Sequence, residues 1–389
     1  MDIPEFDEIF RQIKINFWLI GILFDQRRIC LRYFIFLLAI TIIAVAELAF
    51  FFSSISVENF LELTQLAPCT CLGWLSMIKI VFITSSRKKI FDLTRHLKKL
   101  YNEMLSNSQK QGIVRHDFIF LKFLVKYFFI LNSILIIVYN FAPLLFMFYH
   151  YYTTNVIVYR LPYAVLFPFA TDLWYTWLLV YLLSIIKITL SGFTCILYVT
   201  TVDALYYIMT SHVCAQFALL SDEIQYLDKN TSHCLSEIVK KHQYILKLSQ
   251  DLEEIFQAPN LFNVLVGSIE ICALGFNLTM GQWAQIPGVV LFLLSILYQI
   301  LMLSVFGENL IRESRKVGES AFLCKWYDMD KKSKKTIFIL MLRSNKPQKL
   351  TAYKFSVISY QSFTKIISTS WSYFTILRTV YNPSETKKE

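Results

Sequence analysis

The sequence predicts an all-α membrane protein with seven spanning helices, on three observations. Of its 389 residues 56% are hydrophobic and 17% charged, more apolar surface than a soluble domain of that length can hide. The apolar residues gather in segments near the roughly 20 residues that cross about 30 Å of hydrocarbon. The basic residues avoid alternate connections. Arg87, Lys88, Lys89, Arg95, Lys98, Lys99, Lys110, Arg115 and Lys122 stand between the second and third segments, and another basic group runs from Arg312 to Lys349 between the sixth and seventh. The connections after the first, third and fifth segments hold only Arg160. Basic loops stay in the cytoplasm, so the amino terminus is expected inside and, after an odd number of crossings, the carboxyl terminus outside. This clustering accounts for the net charge of +10, and no nucleic-acid role is read from it.

Six stretches have spanning length: Leu31 to Phe52, Leu61 to Thr84, Leu124 to Phe148, Leu173 to about Val199, Leu261 to Thr279 and Val289 to Phe306. With Asp2, Glu5, Asp7 and Glu8 at the start, a cleavable leader is not expected and the first span is read as the insertion signal. The seventh segment, about 352–381, contains no Gly or Pro, which permits a helix of about 45 Å. It carries Ser356, Ser359, Ser362, Thr364, Ser368, Thr369, Ser370, Ser372, Thr375 and Thr379. Hydrocarbon offers such hydroxyls no partners, so this helix is expected against protein and water. The whole chain is read as a single membrane domain, with an inner helical part contributed by about 200–258 and 312–350.

Ionisable residues inside spans are functional suspects by default. Lys79 and Lys187 lie about 27 Å and about 20 Å along their helices by the rise per residue and are read as snorkelling toward the inner interface. Glu47 falls near the outer end of the first span. Glu270 sits near the middle of the fifth and is expected to face another helix, with no partner assignable. Between the fourth and fifth spans Leu235, Ile238, His242, Ile245, Ser249, Leu252 and Phe256 recur at steps of three and four, one face of a helix. That face packs either on its own bundle or on another subunit; Leu235, Ile238, Ile245, Leu252 and Phe256 are the candidate subunit contacts. Lys334 to Arg343 mixes basic and apolar residues and suits the membrane surface or the same inner assembly.

Catalytic and metal-binding patterns are absent: there is no Gly-rich phosphate loop, HExxH, GxSxG or repeated CxxC. Neither an enzyme nor a cofactor is expected. The eight cysteines are scattered, with Cys69-x-Cys71 the only close pair, and are read as small packing residues. The sequons at Asn230 and Asn277 fall, respectively, on an inner connection and inside a span, so neither is expected to carry sugar. By depth, Cys71 and Trp74, then Tyr139, Pro143 and Phe146, then Trp177 and Tyr181, and Tyr298 gather in the outer half of the bundle. An aromatic concavity with few polar groups suits a small apolar or weakly polar ligand. The same aromatics could equally be core or lipid-facing.

At the carboxyl end Gly307-Glu308-Asn309, Glu313-Ser314, Ala321, Trp326-Tyr327, Arg343, Leu350-Thr351-Ala352, Phe363 and Ser372-Tyr373-Phe374 resemble the signature of insect odorant receptors. Upstream, Asp203, Gln216-Phe217, Leu220, His242, Leu252 and Cys272 fit the same pattern. The resemblance implies a subunit of a tetrameric ligand-gated, non-selective cation channel in the plasma membrane of olfactory sensory neurons, opened by a volatile ligand bound in the outer half of the bundle. It implies a hetero-oligomer with a co-receptor, surrounding membrane lipid, and a pore lined by the seventh helix. Carried across residue by residue, the narrow point falls at Ile376 and Val380, with Tyr373 on the same face and Thr379 beside it. Lacking the expanded second inner loop of the co-receptor, the chain resembles the tuning subunit. Lys365 and Arg378 depart from a cation pathway and are expected to face away from the lumen. A gustatory-type channel of the same superfamily and a G-protein-coupled chemoreceptor, the latter with reversed orientation, are the alternatives.

Overall fold

The computed structural model describes residues 3–23, 28–53, 60–155, 174–280 and 286–381. Long antiparallel helices dominate. α2 (Leu31–Ser53), α3 (Phe60–Ser85), α5 (Ser108–Thr154), α6 (Trp174–Gln225), α7 (Leu235–Met280) and α8 (Ile286–Leu323) are each long and apolar enough to cross a membrane. Their lipid-facing sides are legible in exposure. On α5 the exposed residues Ile130, Ile134, Ile137, Phe141, Leu145 and Phe148 recur every three or four positions, a continuous apolar stripe.

The spans do not stop at the hydrocarbon boundary. α5, α6, α7 and α8 run for 47, 52, 46 and 38 residues, so most of the polar connections are helical continuations of the spans. α6 and α7 are separated only by a turn and a single 3₁₀ turn, Ser232–Cys234. In that turn Asp228 accepts hydrogen bonds from the Asn230 and Thr231 amides, and those from Thr231 chiefly hold its carboxyl below the ordinary value. The ends of α5–α8 on this side join α1 (Phe6–Ile20), α4 (Arg87–Leu105) and α9 (Lys331–Ser344) in the largest core of the molecule. This is the basic end of the bundle.

α1 is amphipathic and buries Phe6, Ile9, Phe10, Ile13, Phe17 and Ile20. It ends at Gly21, whose φ of 96° is left-handed and whose N–H reaches back to the Phe17 and Trp18 carbonyls. A side chain there would meet the Tyr33 amide at 2.7 Å. A short antiparallel pair, β1 (Ile22–Leu23) with β2 (Arg28–Ile29), then turns the chain into α2. Ion pairs from Asp7 to Lys98 (2.6 Å) and from Glu8 to Lys122 tie α1 to α4 and α5, and Asp7 also pairs with Lys14 within α1 at 3.2 Å.

Three expectations change here. The apolar stripe of α7 is core: Leu235, Ile238, Ile245, Leu252 and Phe256 are at most 5% exposed within this one chain, because α6, α8 and α9 already cover that face. These five are therefore not surface left for a partner subunit. The final helix is shorter than its lack of Gly and Pro allowed: α10 spans Tyr360–Tyr381, and β3 (Thr351–Ala352) and β4 (Ser356–Val357) form a hairpin before it. Tyr353 and Lys354 take left-handed φ values of 49° and 65°, and the Thr351 hydroxyl accepts from the Lys354 amide, so local side-chain bonding offers the backbone an alternative to helix. α10 then starts at a reciprocal pair, the Ser362 amide bonding to Ser359 Oγ and the Ser359 amide to Ser362 Oγ. The third change is Lys79, described below.

The hairpin anchors α10 to the bundle. Pro259 lies inside α7, where a missing N–H and ring clash open the helical ladder, and close by the Gln257 carbonyl accepts from the Tyr353 amide at 3.1 Å. The Thr351 hydroxyl donates to Glu253. On α8, a Cβ at Gly307 would lie 2.4 Å from the Ile358 carbonyl oxygen, and Glu308 accepts from the Tyr360 amide at the start of α10. The carboxyl-terminal signature residues thus clamp the root of the last helix.

Candidate functional site

Between the spans lies a cluster of polar side chains that apolar surroundings force to satisfy one another. Lys79 of α3 is fully buried and bonds both oxygens of Asp203 on α6, at 2.8 and 2.9 Å. The height of Lys79 along α3 suggested snorkelling; its direction, toward α6, rules this out. Gln299 of α8 donates to Asp203 Oδ2 at 2.7 Å and to Asn263 Oδ1 of α7 at 3.3 Å, and Asn263 donates to Asp203 at 3.4 Å. Four helices meet in this knot.

One turn farther along α8, Ser295 donates to Asn132 Oδ1 of α5 at 3.0 Å, and Asn132 donates to the Phe128 carbonyl at 2.9 Å. Leu72, Asn132, Leu135, Val199, Phe292, Ser295, Ile296 and Gln299 enclose a cavity of about 10 Å³. That is room for about one water-sized group. On the α7 side polar residues recur every seven positions, with Asn277 bonded to Thr64 of α3, Glu270 within electrostatic reach of Cys71, and Asn263 sharing Asp203 with Lys79. Asn277 accepts from the Thr64 hydroxyl and donates to the Thr64 carbonyl, which occupies the amide of that sequon. Glu270 is 2% exposed and within electrostatic reach of Cys71 and Lys79. Among the described residues its Oε1 has no hydrogen-bond partner.

The sequence-predicted ligand residues divide. Cys71 and Trp74 are half-buried on α3, Cys71 beside Glu270 and Trp74 with its ring N–H enclosed and unbonded among the described residues. Tyr298 is half-buried and stacks on Phe128 with ring centroids 5.7 Å apart. Tyr139, Pro143 and Phe146 lie on α5 and Trp177 and Tyr181 on α6, but their side chains, like that of Lys187, lie outside the described residues. Asn132, Ser295, Gln299 and Asn263 were missed as site residues. Each is a polar side chain in an apolar run, which the default suspicion of polar groups in spans would have flagged.

On α10, Ser362, Ile366, Ser370 and Phe374 are buried. Ser370 donates to the Ser268 carbonyl of α7 at 3.0 Å, and Phe374 lies against Gly275. Tyr373, Ile376, Thr379 and Val380 are exposed. Lys365 is exposed too and, eleven residues before Ile376, falls within about 20° of it around the helix. It shares the Ile376 face instead of pointing away from it.

The family model described as 7tm Odorant receptor matches residues 59–371. Among curated relatives, Odorant receptor 13a of Drosophila melanogaster is 28% identical over 353 residues, covering 83% of this chain and 81% of its own length. Putative odorant receptor 92a of the same species is 26% identical over 91% of this chain and 89% of its own length. The odorant receptor coreceptor of Aedes aegypti matches 36% of this chain and 30% of its own at 27% identity. Among solved structures, the insect olfactory receptor OR5 from Machilis hrabei in complex with eugenol superposes with a TM-score of 0.74 at 16% identity, over 90% of this chain and 89% of that one. With the family match running from the start of α3 into α10, this chain belongs to the 7tm odorant receptor family of insects.

Proposed function

We propose that the chain is the ligand-binding, tuning subunit of an odorant-gated cation channel, assembled with a co-receptor in the plasma membrane of olfactory neurons. In this reading the basic end is cytoplasmic, the carboxyl terminus is outside, and α10 lines a shared pore. The observation that carries it is α10 itself. One side is seated on α7 and α8, while on the other Tyr373, Ile376, Thr379 and Val380 are left exposed by the described residues. A helix bearing this many hydroxyls beside exposed apolar residues is suited to a water-filled conduit that apolar rings close by dewetting. Four such helices around an axis would bury that side.

A small volatile ligand in the outer half of the bundle, near Cys71, Trp74 and the cavity below them, would open the pore only through a higher affinity for the open state. Lys365 then borders the inner mouth of the pore, where its charge opposes cation entry. The test is co-expression with a co-receptor and whole-cell recording without added nucleotide. Odorant-evoked cation current is expected, and Ile376→Ser is expected to raise current in the absence of odorant. Silence across a broad odorant panel, or an epitope after Glu389 inaccessible on intact cells, would contradict the reading.

A further inference from the structure

We propose that the Asn132–Ser295–Gln299 cavity is a receptor for one hydroxyl group, so that this subunit is tuned to small alcohols and phenols over ethers, esters and hydrocarbons of the same shape. The inference rests on the channel reading only for where the ligand enters; the chemistry of the cavity stands by itself. Asn132, Ser295 and Gln299 are 7%, 6% and 9% exposed, and all three border the same space. What each has left to offer follows from the bonds it already makes.

A carboxylate only accepts, so Asp203 fixes the Gln299 amide with its nitrogen toward Oδ2. Its other N–H is directed to Asn263. The Gln299 carbonyl oxygen remains, as an acceptor. The Ser295 hydroxyl spends its hydrogen on Asn132 Oδ1 and keeps lone pairs. Asn132 uses one amide hydrogen on the Phe128 carbonyl and retains the second. The cavity therefore offers acceptors together with one donor. A hydroxyl, which donates once and accepts twice, matches both. A carbonyl or ether oxygen satisfies only the Asn132 donor, and a hydrocarbon satisfies nothing.

Size agrees with chemistry. About 10 Å³ holds one oxygen and not a methoxy or carboxyl group. Because Leu72, Leu135, Val199, Phe292 and Ile296 already wall the space that the hydroxyl fills, the apolar remainder of the ligand would extend out of it toward Cys71 and Trp74. Sites built to hydrogen-bond a hydroxyl reject analogues that lack it far more strongly than apolar pockets reject an extra methylene. The Lys79–Asp203 pair acts here as a positioning element, holding Gln299 in the orientation that leaves its oxygen free.

The experiment compares 1-hexanol and 2-phenylethanol with their methyl ethers, using two readouts. One is ligand-induced thermal stabilisation of the purified full-length chain; the other is current from the chain co-expressed with a co-receptor. Each alcohol is expected to stabilise the protein at about tenfold lower concentration than its ether, the equivalent of one hydrogen bond. Ser295→Ala is expected to erase most of that gap while the ether response is retained, and Ser295→Thr, which restores a hydroxyl, to recover part of it. Equal action of alcohol and ether on the wild-type chain, or a gap untouched by Ser295→Ala, would overturn the proposal and assign the cavity to a water. Alcohol-selective stabilisation without current would support the site while sinking the channel reading; current without alcohol preference would do the reverse.

Discussion

α7 packs by two different rules along its length. From Leu235 to Phe256 it presents an apolar stripe to the core at the basic end. From Asn263 through Glu270 to Asn277 it presents polar side chains at seven-residue steps to α3 and its neighbours. The stripe suits water, where removing apolar area is itself a driving force. Between spans that force is absent, because lipid is as apolar as leucine, and helices recognise each other by small residues and hydrogen bonds. The same helix thus folds by burial at one end and by polar matching at the other.

The sharpest break of this contrast is at Lys79. Lys79→Ala leaves Asp203 buried without its cation and is expected to cost about 3–5 kcal/mol. The loss should appear as reduced surface expression and a lower melting temperature in detergent. The double variant Lys79→Met, Asp203→Leu is expected to recover most of that loss; if it is as damaged as the single, the pair is not held by charge. A smaller effect is expected where the two halves meet. Gly307→Ala places a methyl against the Ile358 carbonyl, and overpacking of this kind costs about 1–3 kcal/mol. Because the strain falls at the root of α10, in the proposed channel the current without odorant should change more than the melting temperature.

The smallest effect is expected at the basic end. Hydrogen bonding from Lys98, and then Lys14, holds Asp7 below its ordinary value. A depressed carboxylate contributes stability that is present above the unfolded pKa and is lost as pH falls through the folded one. Acidification below about pH 4 should loosen α1, and Asp7→Asn should flatten that dependence. The pair is exposed and screened by salt, so the difference should shrink in high salt; a salt-independent shift would mean that α1 is held otherwise.

Much of this was legible in the sequence. The spans and the polar character of the last helix follow from composition and spacing, because those properties belong to one helix at a time. Lys79 is the opposite case: the rise per residue fixes its height, but whether it meets lipid or Asp203 is decided by a helix 124 residues away. The α7 stripe was recognised as a face in need of cover, yet spacing does not say that the cover is α6, α8 and α9 of the same chain. The hairpin before α10 escaped because no Gly or Pro marks it; two left-handed residues, Tyr353 and Lys354, turn the chain with help from Thr351. Asn132 and Ser295 stand out in the sequence as polar residues in apolar runs, but spacing does not set one opposite the other, which the packing of α5 on α8 decides.

Pro259 stands at the junction of the two lengths of α7. It divides the watery length from the oily one, and the hairpin that leads into α10 grips α7 two residues before it. If α10 gates a pore as proposed, bending of α7 about that joint would pull directly on the hairpin that leads into α10. In that reading the coupling would depend on one proline joint and one amide bond, and could be altered without touching the proposed ligand and pore residues.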